Sequence, residues 1–515
     1  LSQFSGKTLI DMSGATTGIY SGHANNVGRR FFGNSSSTSP GISKVFNYLA
    51  DHWLGSGTLR TSSGGGPVYQ PMPANSRVGN HSWIGSLDTY NTDALSRLDW
   101  LIATDETIQT VGFTGSGANP LLSSAFNVIA VNKTSAPTAS GSAGAGGIYT
   151  VGRTRPDIVA PDSTTSAATP RVASAAALLI DAAHSNPLWS ADPVLTSTTN
   201  RNGDIIYNAE RVEVIKSALM AGASRTTTNT SSTDITDYRA AVADRTTNGL
   251  DRRFGAGQLD IYNSYHILAA GEQNSIEDHF SSAGMIGAAG FDYDPNFGGA
   301  NGTNSKATYF LATTAAPTRL SASLVWNLAI DGGTARRFDG SASLFDLNLK
   351  LFDVTNPDNW VLIGSSASAV DNTENLWLLL DGGKDYALQV ERGPDQTPFR
   401  WDYGLAWHAG PVAPLAVDPI VLPEGKVNAA YPDQTLTATG GEGRYTWSIF
   451  SGALPQGLTL SSDGVINGTP TQTASVAFTV AVTDSAARLA MINLVLQVKT
   501  GNTSCCPTCH GGSIF

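Results

Sequence analysis

The hydrophobic period changes once along these 515 residues, and that change constrains the fold more than any other feature. Up to about residue 270, short apolar runs alternate with helical patterns. Residues 93–104 (DALSRLDWLIAT) are spaced for a helix, 126–131 (FNVIAV) for a buried strand, and 172–183 (VASAAALLIDAA) for an Ala-rich helix. Strands alternating with helices predict a largely parallel α/β sheet. After about residue 300 the period becomes two: Leu320, Ala322, Leu324, Trp326, Leu328 and Ile330 alternate with polar or small neighbours, as do Phe345, Leu347, Leu349 and Leu351, and later Trp401, Tyr403, Leu405 and Trp407. This predicts a β-sandwich ending near His408. The Pro-rich stretch 410–423 reads as a linker. Beyond it Tyr445, Trp447 and Ile449, then Val476, Phe478, Val480 and Val482, alternate around an Asp463-Gly464 turn, predicting a small Ig-like sandwich.

The expected architecture is therefore an α/β domain over 1–275, a jelly-roll-like sandwich over 276–410, an Ig-like sandwich over 411–499 and a tail over 500–515. Charged residues make up only 14% of the chain and Gly reaches 54, a balance closer to exported proteins than to cytosolic enzymes. The net charge of −11 repels a phosphate backbone, which excludes nucleic acid as a natural partner. No apolar run approaches the ~20 residues that span a bilayer. The start at Leu1, with neither Met nor a leader-like stretch, reads as a mature form after removal of an export signal. All three cysteines lie in the tail, so residues 1–504 fold without disulfides or thiol chemistry.

The segment most informative about chemistry is 155–179 (RPDIVAPDSTTSAATPRVASAAALL). A short apolar strand, a turn of small residues and Ser166 lead into a helix, with Pro170 expected in its first turn, where a missing N–H does no harm. Ser166 is thereby expected at a helix N-terminus, where free N–H groups and the helix dipole stabilise the oxyanion formed when a serine attacks a carbonyl. A serine in that position is also an ordinary N-cap.

The segment resembles the nucleophile motif of the subtilisin-like serine proteases (subtilases). The lead-in stands as Pro156-Asp157-Ile158-Val159-Ala160-Pro161 and the nucleophile stretch as Thr164-Thr165-Ser166-Ala167-Ala168-Thr169-Pro170, with Thr164 in place of the family's Gly. Upstream, Ser21-Gly22-His23-Ala24-Asn25-Asn26-Val27-Gly28 is similar to the family's histidine motif, and Thr8-Leu9-Ile10-Asp11-Met12-Ser13-Gly14 to its aspartate motif. The resemblance implies a triad in which Ser166 attacks, His23 moves the proton and Asp11 orients His23, in the chain order Asp, His, Ser. Only 12 residues separate Asp11 from His23, a tighter spacing than the family shows. Residues 79–85 look like the substrate-pairing strand, which makes Ser82, Trp83 and Gly85 candidate substrate contacts and His81 a strand residue rather than the base. Trp83 also fits a plain core position. Asn119 is the nearest candidate for the oxyanion side chain, with Thr114 and Ser116 as alternatives.

Two further features are of lower content. Cys506-Pro507-Thr508-Cys509-His510 fits the C-x-x-C-H pattern of covalent haem c attachment, through Cys506 and Cys509 with His510 on iron. Disulfide formation, linkage to a partner or adventitious metal binding are the competing readings, and a haem would point to an extracellular cytochrome or surface-assembly partner. Residues 371–375 (DNTEN) offer carboxylates for a structural calcium, as many subtilases have, but lack the spacing of a defined calcium loop and read more simply as a solvated turn. No His-Glu-x-x-His cluster supports a metal-dependent hydrolase. The expected function is a secreted or cell-surface serine endopeptidase acting on polypeptides. Its competitor is a catalytically weak subtilase-fold scaffold or attachment protein carrying the haem motif.

Overall fold

β1 (Thr8–Asp11) and β2 (Lys44–Asn47) pair in parallel, with Thr8 opposite Lys44 and Asp11 opposite Asn47. Parallel neighbours need a crossover, and α1 (Gly22–Phe32) supplies it. Ser21 caps α1 by accepting a hydrogen bond from the Ala24 N–H at 3.3 Å, which satisfies one of the donors that a helix start leaves unpaired. Arg29 and Arg30 in the last turn suit the negative end of the helix dipole. The short α2 (Ala50–Gly55) follows β2. This computed structural model describes residues 2–500 apart from 15–20, 62–69, 84, 86–90, 114–121, 136–139, 231, 278–284, 333–340, 413, 442–444 and 485–486.

A second parallel sheet holds β3 (Val78–His81), β4 (Ile108–Gly112), β5 (Ile129–Lys133) and β6 (Ile158–Ala160) in that order, with α3 (Asn91–Asp105) crossing from β3 to β4. β4 and β6 are buried throughout, as expected of strands covered on both faces. α4 (Thr165–His184) follows β6 and lies on this sheet through its small residues, among them the buried Ala167, Ala168, Ala173, Ala175 and Ala176. Gly112 permits that approach, because a Cβ there would stand 3.1 Å from Thr169 Oγ1. Since α4 begins at Thr165, Pro170 is its sixth residue and falls in the second turn, not the first as the sequence suggested. Pro170 has no N–H to offer the Ser166 carbonyl, so the turn carrying Ser166 lacks one internal bond.

From Ile276 the chain builds a sandwich that is antiparallel except where Met285–Ile286 pairs in parallel with Lys306–Leu311. One sheet orders Ala289–Phe297, Trp401–Pro411, Thr318–Val325 and Thr373–Leu380. The other orders Met285–Ile286, Lys306–Leu311, Tyr386–Arg392, Leu347–Asp353 and Val361–Ser366, with Ile276–Glu277 added beside Lys306–Leu311. Trp326, Trp407, Tyr309 and Tyr403 fill the space between them. This sandwich shares a core with the α/β part: α5 (Val212–Gly222) is buried along its whole length, and Gly404 on the sandwich comes so near that a Cβ would lie 2.6 Å from the Glu213 backbone. Leu1–Pro411 accordingly make one compact unit, so the expected change of pattern near residue 275 marks a change of architecture inside that unit.

Val412–Phe515 form the other unit. Its long hairpin of Ala474–Thr483 with Leu489–Lys499 pairs with Thr446–Ser451 and Gly425–Lys426, and a three-stranded sheet of Tyr431–Thr435, Val465–Gly468 and Leu458–Leu460 faces a core centred on Trp447, Ile466 and Phe478. Among the described residues no helix is long and apolar enough to cross a membrane.

Candidate functional site

In a parallel α/β fold, ligands meet the C-terminal ends of the strands, where the following helices begin. Ser166 and His23 both stand there. Ser166 is the second residue of α4, half-buried, and among the described residues its hydroxyl has no hydrogen-bond partner. The residue before α4, Thr164, has an extended backbone and makes no side-chain cap, so the first N–H groups of α4 are left to other acceptors.

The turn before Ser166 is held from several sides. Asp162 accepts from Arg30 Nε of α1 at 2.7 Å and from Arg171 Nε of α4 at 3.0 Å, and it also accepts from the Ser163 N–H at 2.8 Å. Burial opposes its charge, yet the hydrogen bonds from Arg30, Ser163 and Arg171 outweigh burial and hold its carboxyl below the usual range. Ser135 Oγ donates to the Asp162 carbonyl at 2.9 Å. Deeper in α4, the buried Ser174 Oγ receives the Thr38 and Ser39 N–H groups at 3.0 Å each, which clamps the loop after α1 onto the same helix. These residues escaped the sequence reading because Arg30 and Asp162 are 132 positions apart and no spacing rule connects them.

His23, the second residue of α1, lies against the end of β3: its Nε2 donates to the Ser82 carbonyl at 3.0 Å. With the proton on Nε2, the basic lone pair sits on Nδ1. No carboxylate among the described residues pairs with this ring, and no hydrogen bond among them joins His23 to Ser166 or to Asp11. Asp11 is exposed at the end of β1, where its Oδ1 accepts from the Ser13 N–H at 2.9 Å. The structure therefore does not assemble Asp11 with His23; β2 lies between β1 and the rest of the site.

Ser82 is buried, with Asn80 Nδ2 donating to its Oγ at 3.0 Å; Trp83 is half-buried with its ring edge-on to His81 at 5.6 Å, and Gly85 is exposed. His81 is buried beside Trp53 and bonded to Gln109 Oε1 at 2.9 Å. Burial outweighs that bond and pushes its imidazole down to about 4, so it is neutral at ordinary pH. Thr114, Ser116 and Asn119 lie outside the described residues, as do Cys506, Cys509 and His510.

The expected solvated turn at 371–375 is instead buried. Asp371 accepts from the Thr154 N–H at 2.7 Å and Ser368 Oγ at 2.8 Å, Asn372 donates to the Trp326 carbonyl and Asn375 to the Asn248 carbonyl. Its polar groups tie the sandwich to the lead-in of β6. Among the described residues, no group of three or more His, Cys, Asp or Glu side chains is placed to hold a metal ion.

Comparison with known proteins bears on the second unit. Residues 413–499 match the family described as "Putative Ig domain". No curated protein matches the chain. Among solved structures, a Bacteroides fragilis protein described as a "putative alpha-galactosidase" aligns at 21% identity over 16% of this chain and 17% of its own, with a TM-score of 0.14. The M60 catalytic domain with two CBM51 domains from Clostridium perfringens aligns at 12% identity over 45% of this chain and 22% of that one, with a TM-score of 0.16. Immunoglobulin domains 1–5 of Sidekick-1 align at 12% identity over 38% of each chain, with a TM-score of 0.17. The chain thus spans far less than two thirds of each of these proteins.

Proposed function

We propose that this protein is a secreted serine endopeptidase of the subtilisin-like type, in which Ser166 attacks the peptide carbonyl and His23 carries the proton. The observation that bears most weight is the seating of Ser166: a half-buried hydroxyl without a partner among the described residues, in the first turn of a buried helix at the C-terminal end of a parallel strand. The free N–H groups of that turn would face the developing oxyanion. Helices α1 and α4, which carry the two residues, are joined through Arg30, Asp162 and Arg171. Substrate would extend along Ser82, Trp83 and Gly85, and the Ig-like unit fits placement outside the cell.

For His23 to accept the Ser166 proton through Nε2, that nitrogen must leave the Ser82 carbonyl and present its lone pair. A carboxylate accepting from Nδ1–H would impose the required tautomer. Reaction with a fluorophosphonate probe tests the reading. Labelling should occur on wild type, fall by at least about 100-fold in His23→Ala and vanish in Ser166→Ala; labelling that survives Ser166→Ala sinks it.

The exposed position of Asp11, bonded to Ser13 and not to His23, favours a second reading, a subtilase-like surface scaffold of weak catalytic power, with the Cys506–His510 tail as a haem attachment point. An absorption spectrum of the purified protein tests the tail: a Soret band that survives denaturation is expected for thioether-linked haem. Strong labelling of Ser166 would count against the scaffold.

A further inference from the structure

In the second unit, the neighbouring strands Thr446–Ser451, Ala474–Thr483 and Leu489–Lys499 have one face on the core and the other open. Trp447, Phe478, Val480, Leu494 and Leu496 turn inward. Side chains alternate along a strand, so the residues between them build the outer face. The ladder sets Ala481 beside Met491, Thr479 beside Asn493 and Ala477 beside Val495. Ser448 extends the first of these rows and Ser451 the second, across a bulge that leaves Phe450 exposed. The middle row is a hydrogen-bonded chain: Ser451 Oγ donates to Thr479 Oγ1 at 2.9 Å, and Thr479 Oγ1 donates to Asn493 Oδ1 at 2.7 Å.

This face is nearly free of charge. Lys499 is the one charged residue of the three strands; it lies at their end and pairs with Glu424, whereas 14% of the whole chain is charged. The face is also apolar at intervals, since Phe450, Leu489, Met491 and Val495 are each half exposed or more. Exposed apolar side chains gathered among polar ones mark interaction surfaces.

The rows are symmetric about the middle one. Met491 with Ala481 stands two residues to one side of Asn493 with Thr479, and Val495 with Ala477 two residues to the other. A two-fold axis along the middle row, laying one such sheet face to face on another, sets Asn493 on its own copy and Met491 of each sheet on Val495 of the other. That reciprocity is what an isologous contact requires. The amide of Asn493 can both donate and accept, so it can pair with itself across the axis. Charge favours the same occupant. With a net charge of −11, two copies of this chain repel over most of their surfaces, and here they meet with no carboxylates opposed. A charged partner would find no counter-charge on this face.

We propose that the outer face of the Ig-like unit joins two copies of this chain about that axis. The 11 residues of Leu489–Lys499 extend ~36 Å and three strands are ~14 Å wide, so each copy covers roughly 500 Å² and the pair about 1,000 Å², the least that a specific interface needs. A contact of that size fits a reversible dimer with a Kd of about micromolar order.

Sedimentation velocity of the full chain from ~1 to ~100 μM, a span around that Kd, tests this. The mass should rise with concentration from 53.7 kDa to twice that value. Raised salt should change the rise little, because no ion pair holds the contact. Asn493→Asp sets two carboxylates against each other on the axis and Asn493→Lys two ammonium groups. Each substitution should weaken dimerisation at least about tenfold, and an equal mixture of the two should restore it, which also shows that both variants are folded. A chain that stays monomeric throughout overturns the proposal. So does a dimer indifferent to both substitutions, or one that their mixture fails to restore.

Discussion

The two parallel sheets of the first unit, the two halves of its α/β part, differ in how far they are buried. β3 through β6 are laid against α4, with β4 and β6 buried throughout, and they carry Ser166 on a turn held by Asp162 and Ser135. β1 and β2 are mostly exposed: Leu9 is 48% accessible and Phe46 half-exposed, and the helix between them carries His23 with a backbone carbonyl as its partner. Two residues proposed to act together can thus be held to different degrees within one fold. Local sequence and packing hold the turn of Ser166, whereas His23 rests on the Ser82 carbonyl with no carboxylate paired to its ring among the described residues.

The sharpest way to break this contrast is to damage the prepared half. Asp162→Ala removes the acceptor shared by Arg30 and Arg171 and leaves two guanidinium groups facing each other. Breaking a buried pair costs ~3–5 kcal/mol and an exposed pair ~0–1. Because the two arginine side chains are 22% and 41% exposed, the loss should fall between, at roughly 1–3 kcal/mol by denaturant titration. Fluorophosphonate labelling of Ser166 should fall with it, by about 10–100-fold, through displacement of the turn. Unchanged labelling would show that the support of Ser166 lies elsewhere.

A second comparison uses pH. His81 in β3 is pushed down to about 4 by burial, against the ordinary value of 6.5. Between these values the unfolded chain binds more protons than the folded one, so stability falls as pH drops from 6.5 toward 4. The full shift corresponds to roughly 3 kcal/mol. Exchange at the amides of β3 and β4 should therefore accelerate on acidification, after correction for the intrinsic rate, and His81→Phe should flatten that dependence. An equal slope in the variant would assign the acid sensitivity to another group.

How much of this was legible follows from where the signals sit. The segment around Ser166 was readable because strand, turn and helix are contiguous, so local pattern specified the seat of the hydroxyl. The second-turn position of Pro170 was missed because only the actual first residue of α4 decides which carbonyl loses its donor. The sandwich and the Ig-like unit were readable from period two, but not the shared core, since the contact of Gly404 with Glu213 joins residues far apart in sequence. Residues 371–375 read as a solvated turn from composition, whereas Asp371 and Asn375 are spent on buried bonds to Thr154 and Asn248.

The smallest expected effect is the most discriminating between the halves. Asp11 drew attention as a carboxylate at the end of an early strand, just upstream of His23. In the structure it is exposed, and its Oδ1 accepts from the nearby Ser13 N–H. An exposed turn of this kind is worth at most about 1 kcal/mol. Asp11→Asn should thus leave labelling of Ser166 within about twofold of wild type and shift stability by less than that amount. If Asp11 were the residue that orients His23, the same substitution would leave the wrong tautomer in place and lower reactivity by about 10⁴-fold. A loss of that size would mean that β1 and α1 rearrange to bring Asp11 to the imidazole.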